Sequence, residues 1–138
     1  AEPFWSARGL LGREQLEKLK SILEASSDTF QCVFLHHPPV PGVCKKRKSL
    51  RDAILLSYLL KQQNVQMVLH GHVHQNKIYA ANECTKVFAT ASASNVAGHA
   101  PASYRLFEIR TGVSDWEVTA RLKVFGSSIT KELTRHSW

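Results

Sequence analysis

The sequence predicts an α/β fold, a strand-helix-strand unit followed by an antiparallel meander. Three observations carry that expectation. Two stretches with apolar residues at helical spacing are each followed by a short apolar run. The second half turns to short strand-like segments separated by polar or small-residue loops. The 138 residues, 43% of them hydrophobic, suffice for one core and not for two.

Gly12-Arg13-Glu14-Gln15 opens a segment in which Leu16, Leu19, Ile22 and Leu23 recur at helical spacing, and Ser26-Ser27-Asp28 closes it. An amphipathic helix is expected there. Phe30 to Leu35 is apolar apart from Gln31, as a strand covered on both faces of a parallel sheet would be. The run Pro38-Pro39-Val40-Pro41-Gly42 excludes helix and inner strand, because proline lacks an N–H and restricts its predecessor.

Ser49 with Asp52 three residues on resembles a capping box, and Leu50, Ile54, Leu55, Tyr58 and Leu59 make an apolar stripe to about Lys61. This is the second expected helix, and Val65 to Leu69 is the second strand. Short strand candidates follow at Lys77 to Tyr79, Lys86 to Ala89 and Tyr104 to Ile109. From Trp116 to Val124 apolar and polar residues alternate, one face buried and the other wet. Gly126 to Trp138 shows no period and reads as a surface extension.

A strand-helix-strand unit with a right-handed crossover makes its strands parallel neighbours. The segments after Leu35 and after Leu69 then emerge at one sheet edge, where open α/β sheets bind ligands. Both segments are rich in histidine: Leu35-His36-His37-Pro38-Pro39 and Leu69-His70-Gly71-His72-Val73-His74 hold five of the seven histidines. Imidazole is the commonest protein ligand for such metals as zinc, and a His-x-His pair beside a glycine can aim two rings at one place. His72 and His74 are therefore expected metal ligands. One of His36 and His37 is expected to be a ligand and the other a neighbouring or substrate-contacting group, while His99 and His136 read as structural. Neither cluster has an adjacent Asp or Glu.

The chain has a net charge of +7, which favours anionic partners. Part of the excess lies in Lys45-Lys46-Arg47-Lys48, directly after the first histidine cluster. A solvated loop accounts for such a run. Its position also suits attraction of a phosphorylated substrate, with Lys45, Lys46 and Arg47 as the binding candidates. A nucleic-acid surface is less supported, because no aromatics interleave with the charges. Cys32, Cys44 and Cys84 form neither an even set nor a Cys-x-x-Cys pair, so a reducing, cytoplasmic setting is expected. No apolar run is long enough to span a membrane.

His-His-Pro-Pro after one strand and Gly-His-Val-His after the next resemble the last two motifs of calcineurin-like metallophosphoesterases, in particular the cyclic-nucleotide phosphodiesterase-like branch. The resemblance covers about Gly9 to Ile109, including the helix and strand between the motifs. It implies part of a two-sheet β-sandwich flanked by helices, with two divalent or trivalent metal ions (Mn, Fe or Zn) in the crevice. His36, His72 and His74 match ligand positions, His36 and His72 on one metal and His74 on the other. His37 matches none and is implied to touch those ligands or the phosphate, and His70 is implied to be structural.

The family's earlier motifs, an Asp-x-His, a Gly-Asp and a Gly-Asn-His-Asp/Glu, are absent. The whole of 1–138 is accordingly expected to be the carboxyl-terminal half of one domain, with the amino-terminal half as its missing partner. The expected function is binuclear metal-dependent hydrolysis of a phosphodiester or phosphomonoester in a small-molecule or nucleotide substrate, the chain being inactive alone. Without a bridging carboxylate two nearby cations repel one another. Two alternatives remain open: a mononuclear three-histidine zinc hydrolase, and a noncatalytic interaction module or split-half partner with an exposed sheet edge.

Overall fold

The computed structural model describes residues 6–94, 101–112, 115–127 and 130–137. Its elements run α1 (Gly12–Ala25), β1 (Cys32–Leu35), α2 (Ala53–Gln62), β2 (Met67–His70), β3 (Lys77–Ala80), β4 (Lys86–Ala89), β5 (Ser103–Thr111), β6 (Trp116–Val124) and β7 (Thr130–Ser137). The first four strands form a mixed sheet in the order β1-β2-β4-β3, and the last three form an antiparallel sheet in the order β5-β6-β7. The α/β class and the two-sheet architecture follow the expectation.

The strand-helix-strand unit is present, with β1 and β2 parallel and Val33 opposite Val68. β4 extends that pairing, parallel on the other side of β2, and β3 turns back antiparallel along β4. Residues 130–137 were expected as a surface extension. They instead form β7, which pairs with β6. The segment Thr-Lys-Glu-Leu-Thr-Arg-His-Ser is too polar to show a period, and its pairing comes from its neighbour.

Alternation along the parallel strands separates two cores. Val33, Val68 and Val87 lie side by side in register and face α1 and α2, packing with Leu23, Leu56, Leu60 and Val65. Cys32, Met67, Leu69 and Phe88 face the other way and pack on Val118, Ala120 and Phe107 of the second sheet. Three layers result: helices, mixed sheet, antiparallel sheet. Phe34 shares the second face, yet it is 74% exposed, because β1 is an edge strand. The expectation that this run is covered on both faces fails at that residue.

The capping box at Ser49 and Asp52 does not form. The Ser49 hydroxyl donates to the Lys46 carbonyl at 2.8 Å. The buried Asp52 carboxylate instead accepts the backbone N–H groups of Leu11 and Gly12, the latter at 2.8 Å. It thus satisfies orphan donors at the start of α1, where negative charge is favourable, while itself standing at the start of α2. At the other end, α2 stops at Asn64 (φ 51°), past which the Val65 N–H reaches back to the Leu60 carbonyl at 3.0 Å.

Two consequences are measurable. Phe88 is 1% exposed and meets Phe107 edge-on at 5.0 Å, so Phe88→Ala is expected to cost about 3–5 kcal/mol in urea unfolding. Burial pushes the Cys32 thiol from 9.0 up to about 11. The native thiol stays neutral where the unfolded one ionises, so this contribution to stability is full below pH 9 and is lost as pH rises through about 11. Alkylation of Cys32 at pH 8 is expected to be much slower in the native than in the denatured protein, as mass spectrometry of the labelled peptide would show.

Candidate metal and phosphate site

Leu35 and His70 are register partners at the ends of β1 and β2, so His36 and Gly71 are the first residues beyond the sheet. A cleft of ≈ 540 Å³ opens there, lined by Phe34, Leu35, His36, Leu69, His70, Gly71, Thr90 and Ala91. The topology thus brings the two histidine clusters together. His36 Nε2 lies 2.9 Å from His72 Nδ1, and the His37 ring stands 4.4 Å from the His72 ring.

The glycine in the second cluster is required neither by space nor by backbone conformation. A Cβ on Gly71 would meet His36 Nδ1 at 3.9 Å, an ordinary contact, and its φ is not positive. The left-handed positions fall on His72 (φ 60°) and His74 (φ 50°) themselves. The Val73 N–H bonds the Gly71 carbonyl at 2.7 Å, closing a γ-turn with His72 at its centre. Such a backbone on a residue with a Cβ costs of order 1–3 kcal/mol and is typical of binding and catalytic sites.

Burial lowers the His72 pKa, and His37, His36 and Lys48 nearby lower it further against a raising contact with the Lys48 backbone, which favours the neutral form that ligates metals. With Nδ1 turned to His36, His72 Nε2 is buried and makes no well-aligned hydrogen bond among the described residues, its nearest polar neighbour being the Lys48 backbone. A buried nitrogen of this kind calls for a ligand. His37 Nε2 donates to the Ala7 carbonyl at 2.9 Å, and the ring packs so tightly on Gly9 that a Cβ there would meet Nδ1 at 2.6 Å. His37 is thereby tied to the amino-terminal segment. His74 is exposed and shares a second hollow with His72. His99 and the side chain of His136 lie outside the described residues.

Tyr79 and Asn76, to which the sequence reading gave no role at the site, support the cluster. His70 is buried, and its Nδ1 faces the Gly71 carbonyl at 2.9 Å, so Nδ1 carries the proton. Nε2 therefore accepts from the Tyr79 hydroxyl at 2.6 Å, and burial, with Cys44 adding, holds that hydroxyl far above the usual phenol range. His70 is structural, as expected. Asn76 accepts the Ala91 N–H at 3.1 Å and donates to Ser103 Oγ at 2.9 Å, tying the histidine turn to the second sheet. Its only signal in the sequence is a polar amide two residues after His74.

Of the basic run, Lys45, Arg47 and Lys48 line the second hollow, ≈ 800 Å³, with Lys77 opposite them in sequence order and His72 and His74 between; Lys46 does not line it. The imidazoles suit a metal by chemistry and by the His72 Nε2, which makes no well-aligned hydrogen bond among the described residues. They make only part of a donor set, since no three His, Cys, Asp or Glu side chains converge on a common point among the described residues. Tyr79→Phe, which strands the buried lone pair of His70, is expected to cost about 1–3 kcal/mol in thermal or urea unfolding without loss of the fold.

No family model matches the chain. Among curated proteins, a probable cyclic nucleotide phosphodiesterase from Coxiella burnetii is 30% identical over 92 residues, which cover 62% of this chain and 35% of the relative. The chain thus spans about a third of that relative's length. Among solved structures, GAP50, the anchor in the inner membrane complex of Plasmodium, matches with a TM-score of 0.54 at 17% identity, over 90% of this chain and 41% of that one. At this identity the likeness shows the fold. Vps29 complexed with zinc, from Entamoeba histolytica, matches at a TM-score of 0.45 and 17% identity over 72% of this chain and 52% of that one, too low to carry an argument. The relative in sequence, together with the fold and the two histidine motifs, supports a calcineurin-like metallophosphoesterase, of which this chain carries a part.

Proposed function

We propose that the protein is a metal-dependent phosphoesterase to which this chain contributes the imidazole ligands His36, His72 and His74. The observation that carries the reading is the buried His72 Nε2, without a well-aligned hydrogen bond, on a strained turn whose other ring nitrogen faces His36. The chemistry that bound Mn, Fe or Zn ions supply is Lewis-acid polarisation of phosphoryl oxygens. The carboxylates of a two-metal centre come, in this reading, from the rest of the domain, and the chain by itself is inactive.

The chain's own residues do the positioning. The γ-turn presents His72, and the hydrogen bond from His37 to Ala7 holds the His37 ring against it. His37 is then a prop for His72 or a contact to the phosphate. The basic loop draws a phosphorylated small molecule or nucleotide toward the imidazoles. The three cysteines are free thiols, which suits a reducing compartment such as the cytoplasm.

A second reading has one observation in its favour. The 74% exposed Phe34 on an edge strand suits a noncatalytic module or split half whose edge is completed by another segment.

In the full-length protein, His72→Ala is expected to lower bound metal, counted by atomic emission, and to cut hydrolysis of an aryl phosphodiester by at least about 100-fold. Unchanged metal content and turnover in that variant would sink the proposal.

A further inference from the structure

We infer that the hollow between the Gly42 to Lys48 loop and the Val73 to Lys77 segment is a binding site for the phosphate chain of a small ligand carrying two or more linked phosphoryl groups. The inference deepens the reading above by naming a substrate class, and it rests on that reading only for the reaction the ligand undergoes. Four cations line this one cavity of ≈ 800 Å³: Lys45, Arg47, Lys48 and Lys77. Among the described residues no carboxylate lines it and none of the four forms an ion pair. Some cations elsewhere are paired, Lys18 with Glu14 and Lys61 with Glu83, both at 2.7 Å.

Concentrated charge on a concave wall focuses the field and raises the local concentration of anions. One phosphate needs one or two cations, so four around one hollow suit a longer anion. Arg47 offers a planar fork for two oxygens, and the lysines offer point charges.

The loop is also held in place, so that little ordering is needed on binding. The Lys48 N–H bonds the Lys45 carbonyl at 2.8 Å, the Ala7 N–H bonds the Arg47 carbonyl at 3.0 Å, and Cys44 Sγ donates to the Lys48 carbonyl at 3.3 Å. Lys77, which also lines the hollow, begins β3 and is fixed by the ladder to β4. Apart from the two imidazoles no ring among the described residues lines the cavity. Its described lining therefore recognises phosphate charge and offers no Phe, Tyr or Trp to stack a base.

The test is calorimetric titration of the chelator-treated protein with inorganic pyrophosphate at low salt, which involves neither metal nor turnover. Saturable one-site binding is expected, tighter than for orthophosphate. Arg47→Gln, Lys48→Gln and Lys77→Gln should each weaken it about fivefold, Lys77→Arg should retain it, and Lys18→Gln on α1 should leave it unchanged. The inference is overturned if pyrophosphate does not saturate, if Lys18→Gln weakens binding as much as Lys77→Gln, or if only a single-stranded oligonucleotide binds. Pyrophosphate binding without any hydrolysis by the metal-loaded full-length protein would sink the phosphoesterase reading and leave this one standing.

Discussion

Everything at the site depends on the parallel register of β1 on β2, in which Leu35 stands beside His70. Because side chains alternate, a slip of one residue would turn Val33 from the helix-facing core to the sheet-facing one. It would also move His36 relative to Gly71 and break its contact with His72. Burial on both faces of the central strand makes that slip costly: Val68 is 0% exposed toward the helices and Met67 2% toward the second sheet. The packing that stabilises the fold is therefore also what sets the distance between the two histidine clusters.

Around that fixed edge, the site concentrates conformations and charges that would be unfavourable elsewhere. Two non-glycine residues with left-handed backbones, three imidazole rings in mutual contact and several cations occupy one edge of the sheet. The surroundings hold them there. The bond from Tyr79 to His70 fixes the floor, Asn76 anchors the turn to the second sheet, and Asp52 ties the start of α1 to the start of α2. Strain and like charge gathered at one edge of the fold suit a place meant to be completed by an anion or a metal.

The histidine motifs were legible because their meaning depends on residue type and short spacing, and the strands before them have an unmistakable apolar character. The polar β7 was not legible, since its pairing is decided by β6 and not by its own pattern. Asp52 misled for a related reason. A carboxylate three residues after a serine suggests a local cap, but its partners lie about forty residues away at Leu11 and Gly12. Lys77 carried no signal of its own, because a lone lysine at a strand start gains meaning only from the cavity it borders.

The sequence by itself determined the α/β class, the pairing of strand ends with histidine clusters, and the identity of the candidate ligands. These are properties of periodicity and composition within a few residues. Only the tertiary structure decided that His72 faces His36, that the strained backbone falls on His72 and His74 rather than on Gly71, and that Lys48 and Lys77 belong to the basic wall while Lys46 does not. Those outcomes depend on contacts between segments far apart in the chain, which register and packing fix and local pattern does not.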